Sequence, residues 1–251
     1  MTLDFSIIGP ALIAGLLVTA THVPLGMQVL RRGIVFIDLA VAQIAGLGVI
    51  VADAFGFEPQ GAAVQAAALA AALLGAFLLN WTDKRWPEVQ EATIGVTFIV
   101  AANLAILLLA TNPHGAEHLK DLLIGQILWV NPKVLLYVGL IYAAILFAWF
   151  GWASRIGGIG FYLLFACAVT VSVQLVGIYL VFTTLVVPAL ATRHLSRHRL
   201  AACYVLGALG YAVGLGISLL SDLPPGPLVV CCMTALGLVV LLLTFRARIP
   251  T

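Results

Sequence analysis

Apolar residues run along this chain in long unbroken blocks, not in alternation. Apolar runs lie near 6–23, 33–53, 60–80, 92–111, 133–151 and 161–178. A short run follows at 180–192, and two more lie at 200–220 and 226–245. Each long run is about twenty residues, enough at 1.5 Å rise per residue to cross a hydrocarbon core of about 30 Å. Barrel strands would instead show about ten-residue segments that alternate apolar and polar positions. The run at 180–192 is too short to cross as a regular helix, and it carries Pro188. It reads as a half-helix with some irregular backbone that protein must shield from lipid. The pattern predicts an all-α integral membrane protein. One domain, 1–251, forms a bundle of eight or nine transmembrane helices including one short or broken half-helix.

Composition agrees. Of 251 residues, 63% are hydrophobic and only 9% charged, with a mean hydropathy of +1.16. A soluble surface needs about 25% charged residues. The first basic residue is Arg31, so the first run lacks the positive flank of a signal peptide and reads as a permanent helix. With the N-terminus outside, ten of the twelve Lys and Arg fall on inner segments, leaving only Lys120 and Lys133 outside. The positive-inside rule therefore predicts an external N-terminus and a cytoplasmic C-terminus in the plasma (inner) membrane. This count requires 180–192 to carry the chain across. Asp4, Asp53, Glu58, Glu117, Asp121 and Asp222 then lie outside, which suits an external cationic solute.

The sequence holds no Walker A, G-x-S-x-G, H-E-x-x-H or C-x-x-C motif, and no nucleophile–base pair inside a span. An enzyme is disfavoured, no cofactor is expected on this chain, and nothing points to nucleic acid. Cys167, Cys203, Cys231 and Cys232 all lie in apolar runs and read as packing residues. The Ala62–Ala76 stretch and Gly210-x-x-x-Gly214 read as close helix contacts. Asn80-Trp81-Thr82 matches a glycosylation sequon by chance if its loop is cytoplasmic.

Buried polar residues carry more information. Asp38 lies inside the second span, where a carboxylate must face protein, water or an ion. It is a candidate site residue; the alternatives are a partner for Arg31 or Arg32, or a protonated carboxyl. His22, late in the first span, is either a second candidate or a hydrogen-bonded helix contact. Gln43, Gln65, Asn103 and Gln174 read as interhelical hydrogen-bonders. In the outer segment Asn112–Asp121, His114 and His118 would stand one turn apart if helical, beside Glu117 and Asp121. Imidazole with carboxylate suits zinc or manganese, against the alternative of a solvated loop. His194 and His198 sit among Arg193, Arg197 and Arg199 and read as a basic cytoplasmic loop.

Five segments in order resemble one family. They are Pro24-Leu-Gly-Met-Gln-Val-Leu-Arg-Arg-Gly33 with Phe36-Ile-Asp38, then Glu91-Ala-Thr-Ile-Gly95, then Leu119-Lys-Asp-Leu-Leu-Ile-Gly-Gln-Ile-Leu128. Val176-Gly-Ile-Tyr-Leu-Val-Phe-Thr-Thr-Leu-Val-Val-Pro-Ala189 and Ser221-Asp-Leu-Pro-Pro-Gly226 follow. Together they resemble the permease family of ABC-type zinc/manganese importers. The resemblance implies a permease that pairs with a second copy, cytoplasmic ATPase subunits docked beneath, and an external metal-binding protein that delivers the ion. It also implies alternating access, with zinc or manganese as cargo.

Two departures stand out. The family's second helix reads G-D-x-x-x-H-A, and Asp38 matches its Asp, but Ala42 occupies the His position. His22, on the preceding helix, is expected to replace that ligand across the Arg31–Arg32 hairpin. The family's cytoplasmic D-x-x-x-A-x-x-x-G stretch is reduced to Trp152-Ala-Ser-Arg-Ile-Gly-Gly-Ile-Gly160. Coupling to the ATPase is therefore expected at Arg155 and at Arg193, Arg197 and Arg199. A permease for an iron chelate or cobalamin, and a membrane scaffold without a permeant, are the rival readings.

Overall fold

The computed structural model describes residues 5–58, 61–109, 120, 123–151, 157–195, 197–221 and 223–246. Among them are nine long helices: α1 (Phe5–Arg32), α2 (Ile37–Ala54), α3 (Ala62–Arg85), α4 (Gln90–Leu109), α5 (Pro132–Gly151), α6 (Gly158–Val176), α7 (Ile178–Ala191), α8 (Arg199–Ser221) and α9 (Pro225–Arg246). Eight are long and apolar enough to cross a membrane, and α7, with 14 residues, is shorter. No strand occurs among the described residues.

The expected runs match these helices within a few residues, except at two places. Helix α1 does not end at residue 23. It continues through Pro24 to Arg32. A proline inside a helix removes one N–H and leaves the carbonyl four residues back without its donor. Here that carbonyl belongs to Ala20, and the Tyr204 hydroxyl donates to it at 3.1 Å. The irregular backbone expected within 180–192 is also absent. Helix α7 is continuous from Ile178 to Ala191 with Pro188 inside it, and the break lies before it at Gly177, whose φ of 84° is left-handed.

The chain forms two compact units. The first contains Met1–Arg32, Ile124–Ala143 and Leu175–Thr251. In it α1 packs on α7 and α8, and α9 packs on the same two helices. Small residues permit this closeness. A Cβ at Gly210 would stand 2.7 Å from Met233 Cβ, and one at Gly214 would collide with Val229. The packing role read from Gly210-x-x-x-Gly214 is thus what α8 and α9 display. Gly125 (φ 71°) and Gly177 meet backbone to backbone, leaving no room for a Cβ on either. Both need the left-handed conformation that glycine adopts at little cost.

The second unit contains Gly33–Leu123 and Ala144–Gln174. Helix α2 packs on α3 and α4. Val64, Ala68, Ala72, Ala76 and Leu79 form a buried stripe along α3. A Cβ at Gly48 of α2 would stand 2.8 Å from both Ala67 O and Ala71 Cβ. The Ala-rich run therefore serves close packing. At the other end of α3, Trp81 and Trp86 stack edge to face at 5.2 Å beside Lys84 and Arg85, the pairing of aromatic and basic residues common at a membrane interface.

Candidate functional site

Asp38 lies in the first turn of α2, after the N-cap residue Phe36. It is completely buried, and neither carboxylate oxygen has a hydrogen-bond partner among the described residues. The next turn offers no donor, since Val41 and Ala42 are apolar and fully buried. A buried carboxylate without a partner is costly unless something else compensates it.

His22 belongs to the first unit, Asp38 to the second. At 3.6 residues per turn, Gly15, Thr19, His22 and Gly26 share one face of α1. That face is packed. The Tyr211 ring lies over Gly15, Thr19 meets Gly207, and Gly26 meets the Leu185 carbonyl. His22 is therefore fully buried. Its Nδ1 lies 3.1 Å from Val18 O and 3.1 Å from Thr21 Oγ1. A carbonyl can only accept, so Nδ1 carries the proton and Nε2 presents a bare lone pair. Nε2 has no partner among the described residues. Metal-binding imidazoles commonly anchor their second nitrogen on a carbonyl in this way.

The other candidates fare differently. His114, His118 and Arg155 lie outside the described residues. Arg193 and Arg197 are exposed in the connection between α7 and α8. Arg193 Nε donates to His194 Nε2 at 3.1 Å. An Arg199 terminal nitrogen donates to Ala189 O at 3.0 Å, satisfying a carbonyl at the end of α7. Thr192 backs onto Pro188 O through both its N–H and its hydroxyl. The Cys203 thiol lies 2.9 Å from that hydroxyl. The connection is thus tied to its helices while Arg193 and Arg197 point outward. Among the described residues, no three His, Cys, Asp or Glu side chains gather to hold a metal.

Some polar assignments need correction. Asn103 does not bridge helices. It donates to Ile99 O on its own helix, where its short exposed side chain finds an acceptor one turn back. Gln65 and Gln174 are exposed. The bridging amide is Gln90. It accepts from Thr82 and donates to Leu79 O and the Tyr162 hydroxyl, joining α3, α4 and α6. Gln90 lies two residues before the apolar run that begins near 92, outside the stretch that hydropathy marks.

An all-helical bundle with a buried, unpartnered carboxylate in one span and a bare imidazole in another has the architecture of a membrane transport protein. The sequence profile of the ABC 3 transport family matches residues 4–156 and 151–244. The chain therefore belongs to the ABC 3 transport family, a family of metal ABC transporter permeases whose ATPase is a separate subunit. Its fold is similar to that of PsaBC from Streptococcus pneumoniae, solved in complex with Fab. The TM-score is 0.77 at 19% identity, covering 94% of this chain and 91% of that one. It is also similar to a transporter assigned to the metal-chelate ABC type and captured in an inward-facing conformation. There the TM-score is 0.68 at 14% identity, covering 95% of this chain and 85% of that one. No protein of curated function matches the sequence significantly.

Proposed function

We propose that this chain is the permease of an ATP-driven importer of a divalent metal ion, zinc or manganese, and that Asp38 meets the ion on its way across. The observation that carries the reading is Asp38 itself, fully buried in α2 with two bare carboxylate oxygens. A passing cation supplies the compensation that the described residues do not. Carboxylate oxygen suits manganese, and the bare Nε2 of His22 suits zinc. The single domain, 1–251, pairs with a second copy and works by alternating access. Cytoplasmic ATPase subunits bind the exposed Arg193 and Arg197, with Arg155 nearby in function. An external binding protein delivers the ion, and His114 and His118 help receive it.

The test is uptake in proteoliposomes that contain the permease, its ATPase and the binding protein. Zinc and manganese are offered as free ions and, in a separate arm, iron is offered as its chelate. The metal-chelate kinship of one structural neighbour motivates that arm. ATP-dependent accumulation of a free divalent ion, abolished by Asp38→Asn and weakened by His22→Ala, is the expected result. Accumulation of the chelate alone, or full activity of Asp38→Asn, overturns the reading.

A further inference from the structure

The start of α2 poses a capping problem. The first N–H groups of a helix have no partner inside it, and in a membrane each one left bare is costly. Side chains of Ser, Thr, Asp or Asn at the N-cap usually accept them. Here the N-cap residue is Phe36, which makes no side-chain cap. Ile37 N–H donates to the Ile34 carbonyl at 3.2 Å within the turn. The Phe36 N–H is taken by a residue 55 positions away: it donates to Glu91 Oε1, in the first turn of α4, at 3.3 Å.

Asp38 stands two residues after Phe36. A carboxylate in the first helical turn ordinarily turns toward the unpaired N–H groups and the positive end of the helix dipole. Asp38 does not. Among the described residues both its oxygens are without partners, as is the Oε2 atom of Glu91. We infer that Glu91 is a positioning residue. By occupying the Phe36 N–H group from a neighbouring helix, it keeps the Asp38 carboxylate off its own backbone and free for the transported cation. All the residues involved belong to one compact unit. The inference rests on the reading of Asp38 as the residue that meets the ion.

Glu91→Ala vacates the Phe36 N–H group, so Asp38 turns back to cap α2 and its affinity for the ion falls. Glu91→Gln keeps a carbonyl oxygen in place and preserves the arrangement. The experiment measures initial uptake rates against free manganese and zinc concentration in proteoliposomes with the ATPase and binding protein. Rates are normalised to monodisperse permease, with Asp38→Asn run in parallel. The expected result is a KM raised about tenfold or more in Glu91→Ala, as loss of a residue that orients a metal ligand typically gives, with Glu91→Gln within about twofold of the parent. A role in folding alone would lower the yield or the maximal rate and leave KM unchanged. If Glu91→Ala does not fold, Glu91→Asp takes its place, one methylene too short to keep the 3.3 Å contact. An unchanged KM in Glu91→Ala, with Asp38→Asn inactive, overturns the positioning role and leaves the reading of Asp38 standing. Equal KM values for the Gln and Ala variants, both raised, overturn it too, because charge and not capping would then matter. Normal uptake by Asp38→Asn overturns both.

Discussion

The Tyr204 hydroxyl donates a hydrogen bond to the carbonyl of Ala20, the acceptor that Pro24 deprives of its helical donor. The contact lets α1 pass its proline and run on to Arg32. Tyr204→Phe removes the donor and leaves that carbonyl bare in an apolar setting. Interhelical hydrogen bonds in membranes average about 0.6 kcal/mol and reach about 1.7 kcal/mol. We expect a loss within that range in unfolding equilibria measured in bicelles, with transport close to the parent. No loss at all would mean that the Ala20 carbonyl needs no partner.

Gly125 and Gly177 leave each other no space for a side chain, and both have left-handed backbones. Either glycine replaced by Ala should sharply reduce the yield of monodisperse permease, since collision and backbone strain act together. Gly216 of α8 is the control, because a Cβ there meets nothing within 4 Å. Gly216→Ala should fold at least as well as the parent. If all three variants behave alike, the close approach at Gly177 does not limit folding.

The proposed orientation in the membrane rests on the basic bias of the loops. Glu58 and Lys84 are both exposed, on opposite sides of α3 along the chain. In a background free of the four native cysteines, Glu58→Cys should react with an impermeant maleimide from outside intact cells. Lys84→Cys should react only after the membrane is opened. The reverse pattern would invert the proposed topology.

Arg193 and Arg197 are exposed on a connection tied to α7 through Thr192 and Arg199. A held connection can transmit force in a way that a loose one cannot. Cysteines at 193 and 197 should cross-link to the co-purified ATPase, and the yield should change when ATP is bound. Cross-links found only from Asp83→Cys, at the end of α3, would move the docking surface elsewhere.

Hydropathy alone determined the class and most of the helices, because a bilayer demands about twenty apolar residues for each crossing whatever their neighbours are. Asp38 was legible for the same reason: a carboxylate in an apolar run cannot be silent. The Ala-rich face of α3 and the Gly210/Gly214 spacing were legible because helix periodicity places them on one side. What remained hidden depends on partners distant in sequence. The Ala20 carbonyl that Pro24 leaves without its helical donor is met by Tyr204, 184 residues later. Which amide joins helices was misjudged, since Asn103 turned to its own backbone and Gln90 found Thr82 and Tyr162. The fit of Gly125 against Gly177 joins two segments that local pattern cannot relate. The state of Asp38, bare and not capping its own helix, depends on Glu91 reaching the start of α2. Local sequence decides which groups must be buried, but only tertiary contact decides which of them are left without a partner, because hydrogen bonds reach about 3 Å and do not depend on separation along the chain.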